Sequence, residues 1–484
     1  MRPARSVFAA LFSFPSGSPR ATAGVIVLHS LLLWTLTATA APAPDAHDPL
    51  APLVAELMPL VEAAAGARFT ETPEVVLADQ TQLAEVLYEE QRHLLTRLTD
   101  LTDDEAAEAA RASADNLAAV FAGKYGFLDK RLYLSIDVIT ERLEAQGAPA
   151  SLAGPMVTVV LAHELAHALQ DQHAELEQVV SHAGTADGVM AANCLVEGHA
   201  VWVHEQVAAS LGLHQASDMM AHALGYHADA RTPRDPDAFY TAYVYGLGRD
   251  FVDWHTRDGG TERIWGLFAE PPAHTAVIAH PRAWAEGRRP APRGLARAMR
   301  RATRRLGHPD WTQSTQPLGD YDVREQLLMG GAGPQLADRV DSAWHAQSIG
   351  GPGLGVQVQT LRFDAPAMAQ AYVLNMGRHA AFKTAAMHDD DHVIASAGVF
   401  DGIASDVSAR ESIALSMGVV PQELGTVWLA EGRDVVQIIT VNRSPSDRHI
   451  ARAARPVMRA LRKDRRRQRH SPWAEPLRVA SVER

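Results

Sequence analysis

The chain is 484 residues long, 47% hydrophobic, with a formal net charge of −12 and one cysteine. That length and apolar content exclude a small cross-linked domain and provide for two to three domains with real cores. The lone Cys194 excludes an intramolecular disulfide, and the acidic balance gives solubility rather than a nucleic-acid footprint.

In chain order, residues 1–40 read as an export signal. Arg2, Arg5 and Arg20 make a positive leader, Gly24 to Leu36 is a short apolar segment, and Ala38-Thr39-Ala40 offers a cleavage site. Removing them, with three Arg and no acid, takes the charge from −12 to −15. No later stretch is expected to cross a bilayer, so the mature chain is expected to be soluble and exported, periplasmic or extracellular. Residues 41–49 form a Pro/Ala/Asp linker. From Leu50 to Gln146 the chain is helix-rich, with 3.6-residue patterns over Gln82 to Leu98 and Thr102 to Phe121. Lys130 to Ile136 reads as a short strand, the kind that at a sheet edge aligns an extended peptide.

The organising stretch is His163-Glu164-Leu165-Ala166-His167 within a helix opened by Gly154-Pro155 and expected to run to Val179. Two histidines four apart differ by about 40° around a helix, so both rings leave one face roughly 6 Å apart. One Zn²⁺ can take a nitrogen from each, and Glu164 beside them suits a general base. Catalytic zinc needs a third protein ligand and an open position. Glu197, on a second helix over Gly188 to Leu211, is that ligand. His173 is the rival, at the spacing of a His-Glu-x-x-His-x-x-Gly-x-x-His site. Gln170 stands where that site needs Gly to turn the chain, so His173 is expected to point away. His199 and His204 are expected as solvated or helix-packing histidines, Asp171 as an imidazole-orienting or surface acid, and Cys194 as a small buried residue.

His163 to Gln172, followed by Leu195-Val196-Glu197-Gly198-His199-Ala200, resembles the gluzincin class of zinc metallopeptidases. More narrowly it is similar to a group of poorly characterised bacterial metallopeptidase-like proteins. Tyr245-Gly246-Leu247-Gly248-Arg249-Asp250-Phe251-Val252 is similar to that group's Tyr-x-x-Gly-x-x-Phe-Val. Pro271 to Pro281 is similar to its Pro-Pro-x-Ser-Thr-Glu-Gln-Ile-Leu-His-Pro, departing at His274, Ala276 and Val277. The resemblance covers residues 150–290. It implies an α-rich zincin-like domain and a peptide or protein substrate, and Tyr245 and His280 are the side chains able to donate a hydrogen bond to the developing oxyanion.

The helical catalytic domain is therefore expected over 50–290, a linker over 291–316, and an α+β domain with a small antiparallel sheet over 317–447. Strands are expected at Val356 to Phe363 and Val393 to Ala397, a helix at Ala365 to Arg378, and a hairpin around Glu431-Gly432-Arg433-Asp434. Asp389-Asp390-Asp391 with its flanking histidines reads as a solvated loop. The arginine-rich residues 448–484 read as a solvated basic tail. The sequence thus points to an exported zinc metallopeptidase holding one Zn²⁺ on His163, His167 and Glu197. The alternatives are a zinc-bearing but inactive envelope binding protein and a metal-free scaffold. No nucleic-acid partner and no membrane span after signal removal are expected.

Overall fold

The computed structural model describes residues 50–98, 103–118, 121–126, 128–181, 183, 185–223, 225–226, 236–281, 294–329, 333–351, 354–386, 393–401, 405–415 and 422–469. The expected export signal, the 41–49 linker and the Asp389–Asp391 loop lie outside these residues. The chain is mostly helical and divides into two compact units, one over Met1–Gly287 with Gly319–Met329 and Gly333–Gln335, the other over the remainder.

In the first unit, α1 (Ala51–Ala65) leads into β1 (Glu74–Leu77), α2 (Gln80–Leu98), α3 (Asp103–Ala118), β2 (Gly123–Gly126) and β3 (Arg131–Leu134). The three strands form one sheet in the order β1-β3-β2, β1 parallel and β2 antiparallel to β3. The strand expected at 130–136 is thus the middle strand, and β2 is an edge. After α4 (Ile136–Ala145) come α5 (Ala153–Ala174), α6 (Leu176–Ser181) and α7 (Ala186–Ser210). Then follow α8 (His214–Ala223), α9 (Pro236–Thr241), a π-helix over Ala242–Leu247, α10 (Gly248–Ala269) and α11 (Thr275–Ala279).

α5 and α7 are the spine of this unit. Every residue from Val159 to Asp171 and from Ala186 to Val201 is buried, so neither helix keeps a solvent stripe there. Among the described residues, the helix over Ala150–Ala174 is long and apolar enough to cross a membrane, with mean hydropathy 1.4, correcting the expectation that no later stretch qualifies. Its hydropathy is that of a core helix: 72% of the apolar window is buried inside the protein. α5 also ends five residues before Val179. Glu175 takes a left-handed φ of 47°, and the Leu176 amide donates to Asp171 Oδ1 at 3.0 Å, so an aspartate side chain ends the helix. α10 is kinked at Gly260, φ 70°.

The second unit corrects both ends of the expected domain. Segment 291–316, read as a linker from its Arg/Pro/Ala content, carries α12 (Leu295–Leu306) and β4 (Thr312–Pro317). Conversely α13 (Asp320–Met329), placed in the C-terminal domain by sequence, belongs to the first unit. β5 (Val340–Gly351), β6 (Leu354–Phe363), α14 (Pro366–Ala386), β7 (Val393–Gly398), β8 (Val407–Leu415), β9 (Gln422–Glu431), β10 (Asp434–Val441) and α15 (Asp447–Arg469) complete the fold. The sheet is antiparallel in the order β4-β5-β6-β10-β9-β8-β7, with the expected hairpin joining β9 to β10 through Gly432-Arg433.

Period-2 alternation puts Val436 and Ile438 of β10 in one core with α12 and α15, while Gln437 turns the other way to accept from Tyr372 of α14 at 3.2 Å. The 448–484 tail is corrected too. As far as residue 469 it is a helix whose Ile450, Ala453, Ala454, Val457 and Leu461 are buried. Its Arg462 pairs with Glu431 at 2.5 Å, and Arg465 pairs with Asp434 at 3.0 Å. An amphipathic stripe under a dense run of arginines is easily mistaken for a charge block, because the arginines dominate composition.

Candidate metal centre

The motif helix and its partner bring His163, His167 and Glu197 together as a buried group able to hold a metal ion, their ligand atoms all within 4.8 Å of one another. His163 Nε2 and His167 Nε2 lie 3.1 Å apart, and Glu197 Oε2 is 3.3 Å from the first and 3.4 Å from the second. Glu197 Oε2 is buried and accepts no hydrogen bond. Two imidazole nitrogens and a carboxylate oxygen that converge in a buried space are a donor set that could hold a metal ion. Burial opposes charge on these groups, but each offsets it for the other. The two imidazoles hold the Glu197 carboxyl well below the usual carboxylate range, and the Glu197 charge raises the pKa of His167.

Behind this group, His163 Nδ1 lies 3.2 Å from His204 Nδ1, and His167 Nδ1 lies 2.9 Å from Gln170 Oε1. The Gln170 amide nitrogen reaches the Val196 carbonyl at 2.9 Å and His199 Nδ1 at 3.0 Å. His204, read from sequence as solvated or packing, instead touches His163. Gln170, read only as a helix former, is wholly buried against His167. The signals were available: His204 is seven residues, about two turns, beyond Glu197, and Gln170 is three beyond His167, both on ligand-bearing faces.

Glu164 faces the sheet edge. Its Oε2 accepts the Tyr125 amide of β2 at 2.7 Å. Strand and helix approach so closely that a Cβ at Gly123 would lie 2.6 Å from Val160 Cγ1 and 3.0 Å from Glu164 Oε1. Glycine is required there by contact rather than by φ. A cavity opens beside the group, with Ile139, Leu143, Met156, Val160, Met219 and Met220 on its apolar walls.

Tyr245 also lines this cavity, on the π-helix, its ring 6.3 Å from that of His163. Burial, then the Glu197 charge, pushes its phenol well above the ordinary value, so it stays a donor. His280 is not among the residues lining the cavity. It follows the short α11 and faces Asp320 Oδ1 at 3.5 Å, in a cluster where Asp320 also takes Arg324 Nε at 2.6 Å and the Tyr243 hydroxyl at 3.0 Å. The structure thus places His280, expected as an oxyanion donor, beside a buried carboxylate with an unusually low pKa.

The remaining expectations sort by burial. His173 points away, its Nε2 donating to the Arg68 carbonyl at 2.8 Å. Asp171 orients no imidazole; it accepts the Tyr125 hydroxyl at 2.8 Å and pairs with Lys130 at 2.5 Å, tying the sheet to α5. Cys194 is buried, and burial raises its thiol pKa. In the Pro271–Pro281 stretch, His274 Nδ1 bonds Asp187 Oδ2 at 3.1 Å, while Val277 and Ile278 join the core. Of the residues that depart from the similar group, His274 thus pairs with Asp187, and Ala276 and Val277 are buried. Comparison with protein families, curated proteins and solved structures finds no match to this chain.

Proposed function

We propose that the protein is a zinc-dependent peptidase of zincin type, its leader directing it outside the cytoplasm. The observation that carries this reading is the buried, unbonded Glu197 Oε2 facing His163 Nε2 and His167 Nε2 at 3.3 and 3.4 Å, with Glu164 next in sequence to the first ligand. His163, His167 and Glu197 would hold the zinc. When bound, it supplies a Lewis acid that polarises a scissile carbonyl and lowers the pKa of water.

The chain's own groups supply the rest. The Tyr125 amide occupies one Glu164 oxygen, so proton acceptance falls to the other. That oxygen takes the proton of the attacking water and returns it to the leaving amine. Tyr245, protonated and at the cavity wall, is the hydroxyl able to hydrogen-bond the oxygen of the attacked carbonyl. The methionine- and leucine-rich walls favour a bulky apolar side chain next to the cleaved bond, because burying one there gains about 1.5–3 kcal/mol.

Elemental analysis of purified protein beside His167→Ala tests the reading. About one zinc per chain, lost in the variant, supports it. No metal in either protein after zinc is supplied sinks it. Cleavage of a mixed peptide library then checks the apolar preference.

A further inference from the structure

Both imidazoles facing Glu197 are backed by side chains without charge, His204 and Gln170. On the reading above, His163 and His167 give their Nε2 lone pairs to a metal, so each carries its proton on Nδ1. His163 Nδ1–H then donates across 3.2 Å to His204 Nδ1, which must hold a lone pair. The His204 proton therefore sits on Nε2, directed at the Tyr226 hydroxyl 3.3 Å away. On the other side, His167 Nδ1–H donates to Gln170 Oε1 at 2.9 Å. The amide end of Gln170 is fixed by its two acceptors, the Val196 carbonyl and His199 Nδ1, so it cannot flip to present nitrogen to His167.

We infer that His204 and Gln170 are positioning residues that fix both ligand imidazoles in the Nδ1–H form through uncharged acceptors rather than carboxylates. The inference rests on the metal reading and deepens it. A carboxylate behind a ligand histidine draws on the Nδ1 proton and makes the ring a stronger donor. An imidazole or amide acceptor orients the ring while strengthening it less, so the bound ion keeps more of its charge for a substrate carbonyl and is held less tightly.

The test is Zn²⁺ affinity by chelator competition, with the Co²⁺ absorption spectrum as a second readout, on the full chain. Asn Oδ1 stands about where His Nδ1 stands, so His204→Asn should keep affinity within a few-fold. His204→Leu and Gln170→Leu should each weaken Zn²⁺ by about 10–100-fold and shift the Co²⁺ bands. His204→Asp, the same shape as His204→Asn but charged, should bind several-fold tighter than His204→Asn. A purely structural role would lower the melting temperature yet leave affinity and spectrum unmoved. Wild-type affinity in folded His204→Leu and Gln170→Leu, or no tightening from Asn to Asp, overturns the inference. If the leucine variants do not fold, the Asn/Asp pair decides alone. A wild-type chain that takes up no Zn²⁺ would overturn the metal reading itself, a result distinguishable from the others.

Discussion

Gly198 of α7 lies backbone to backbone against Gly248 of α10. A Cβ on Gly198 would come 2.1 Å from the Gly248 carbonyl carbon, and one on Gly248 would come 2.2 Å from the Cys194 carbonyl oxygen. Neither obstacle is a side chain that can rotate away. The crossing therefore sets how closely the helix bearing Glu197 packs. Gly198→Ala should destabilise the protein by about 1–3 kcal/mol or more. Calorimetry should show the lowered melting temperature, and zinc content should fall with it because the proposed ligand Glu197 is the neighbouring residue. A variant with unchanged melting would contradict the close crossing.

Glu164→Gln removes the proposed proton acceptor while keeping size and the bond to the Tyr125 amide. Zinc content should remain at the wild-type level, and peptide hydrolysis should drop about 10²–10⁴-fold. Full turnover by this variant would exclude Glu164 as the base.

His345 gives the second unit an acid sensitivity unconnected with the metal group. Its ring is buried on β5, Nε2 donating to Gln347 Oε1 at 3.2 Å, and burial lowers its pKa to about 4. The unfolded value is about 6.5, so between about 4 and 6.5 the unfolded chain binds the extra proton. Stability is thus lost as pH falls through the unfolded value, by up to about 1.4 kcal/mol per pH unit. Thermal melts from pH 7 to pH 4 should show a shallower loss for His345→Gln than for wild type. Parallel curves would remove His345 from the account.

The C-terminal helix should be indispensable. Ending the chain before Asp447 uncovers the sheet face on which Ile450, Val457 and Leu461 sit and leaves Asp434 without Arg465. The truncated protein should aggregate or become protease-sensitive within the second unit. Normal solubility and protection would restore the reading of this segment as a tail.

What the sequence determined by itself was local. His163, Glu164 and His167 share a helix, so their common face follows from 3.6-residue geometry without any knowledge of the fold. The helices at 80–98, 103–118 and 186–210 and the hairpin at Gly432-Arg433 were legible for the same reason. Glu197 was proposed from the valence needs of zinc, and packing of α7 on α5 brings it to the two imidazoles.

Only tertiary structure decided the rest. β4, β5 and β8 went unread because Thr, Gln, Ser, His and Arg interrupt their apolar alternation. His280 and Tyr245 looked equivalent in one dimension; a buried aspartate claimed one, and a π-helix left the other at the cavity. The partners behind the ligands were missed because a histidine or glutamine in a core has no periodic signature. What it bonds depends on which helix lies opposite, and that is settled by non-local packing such as the Gly198–Gly248 crossing.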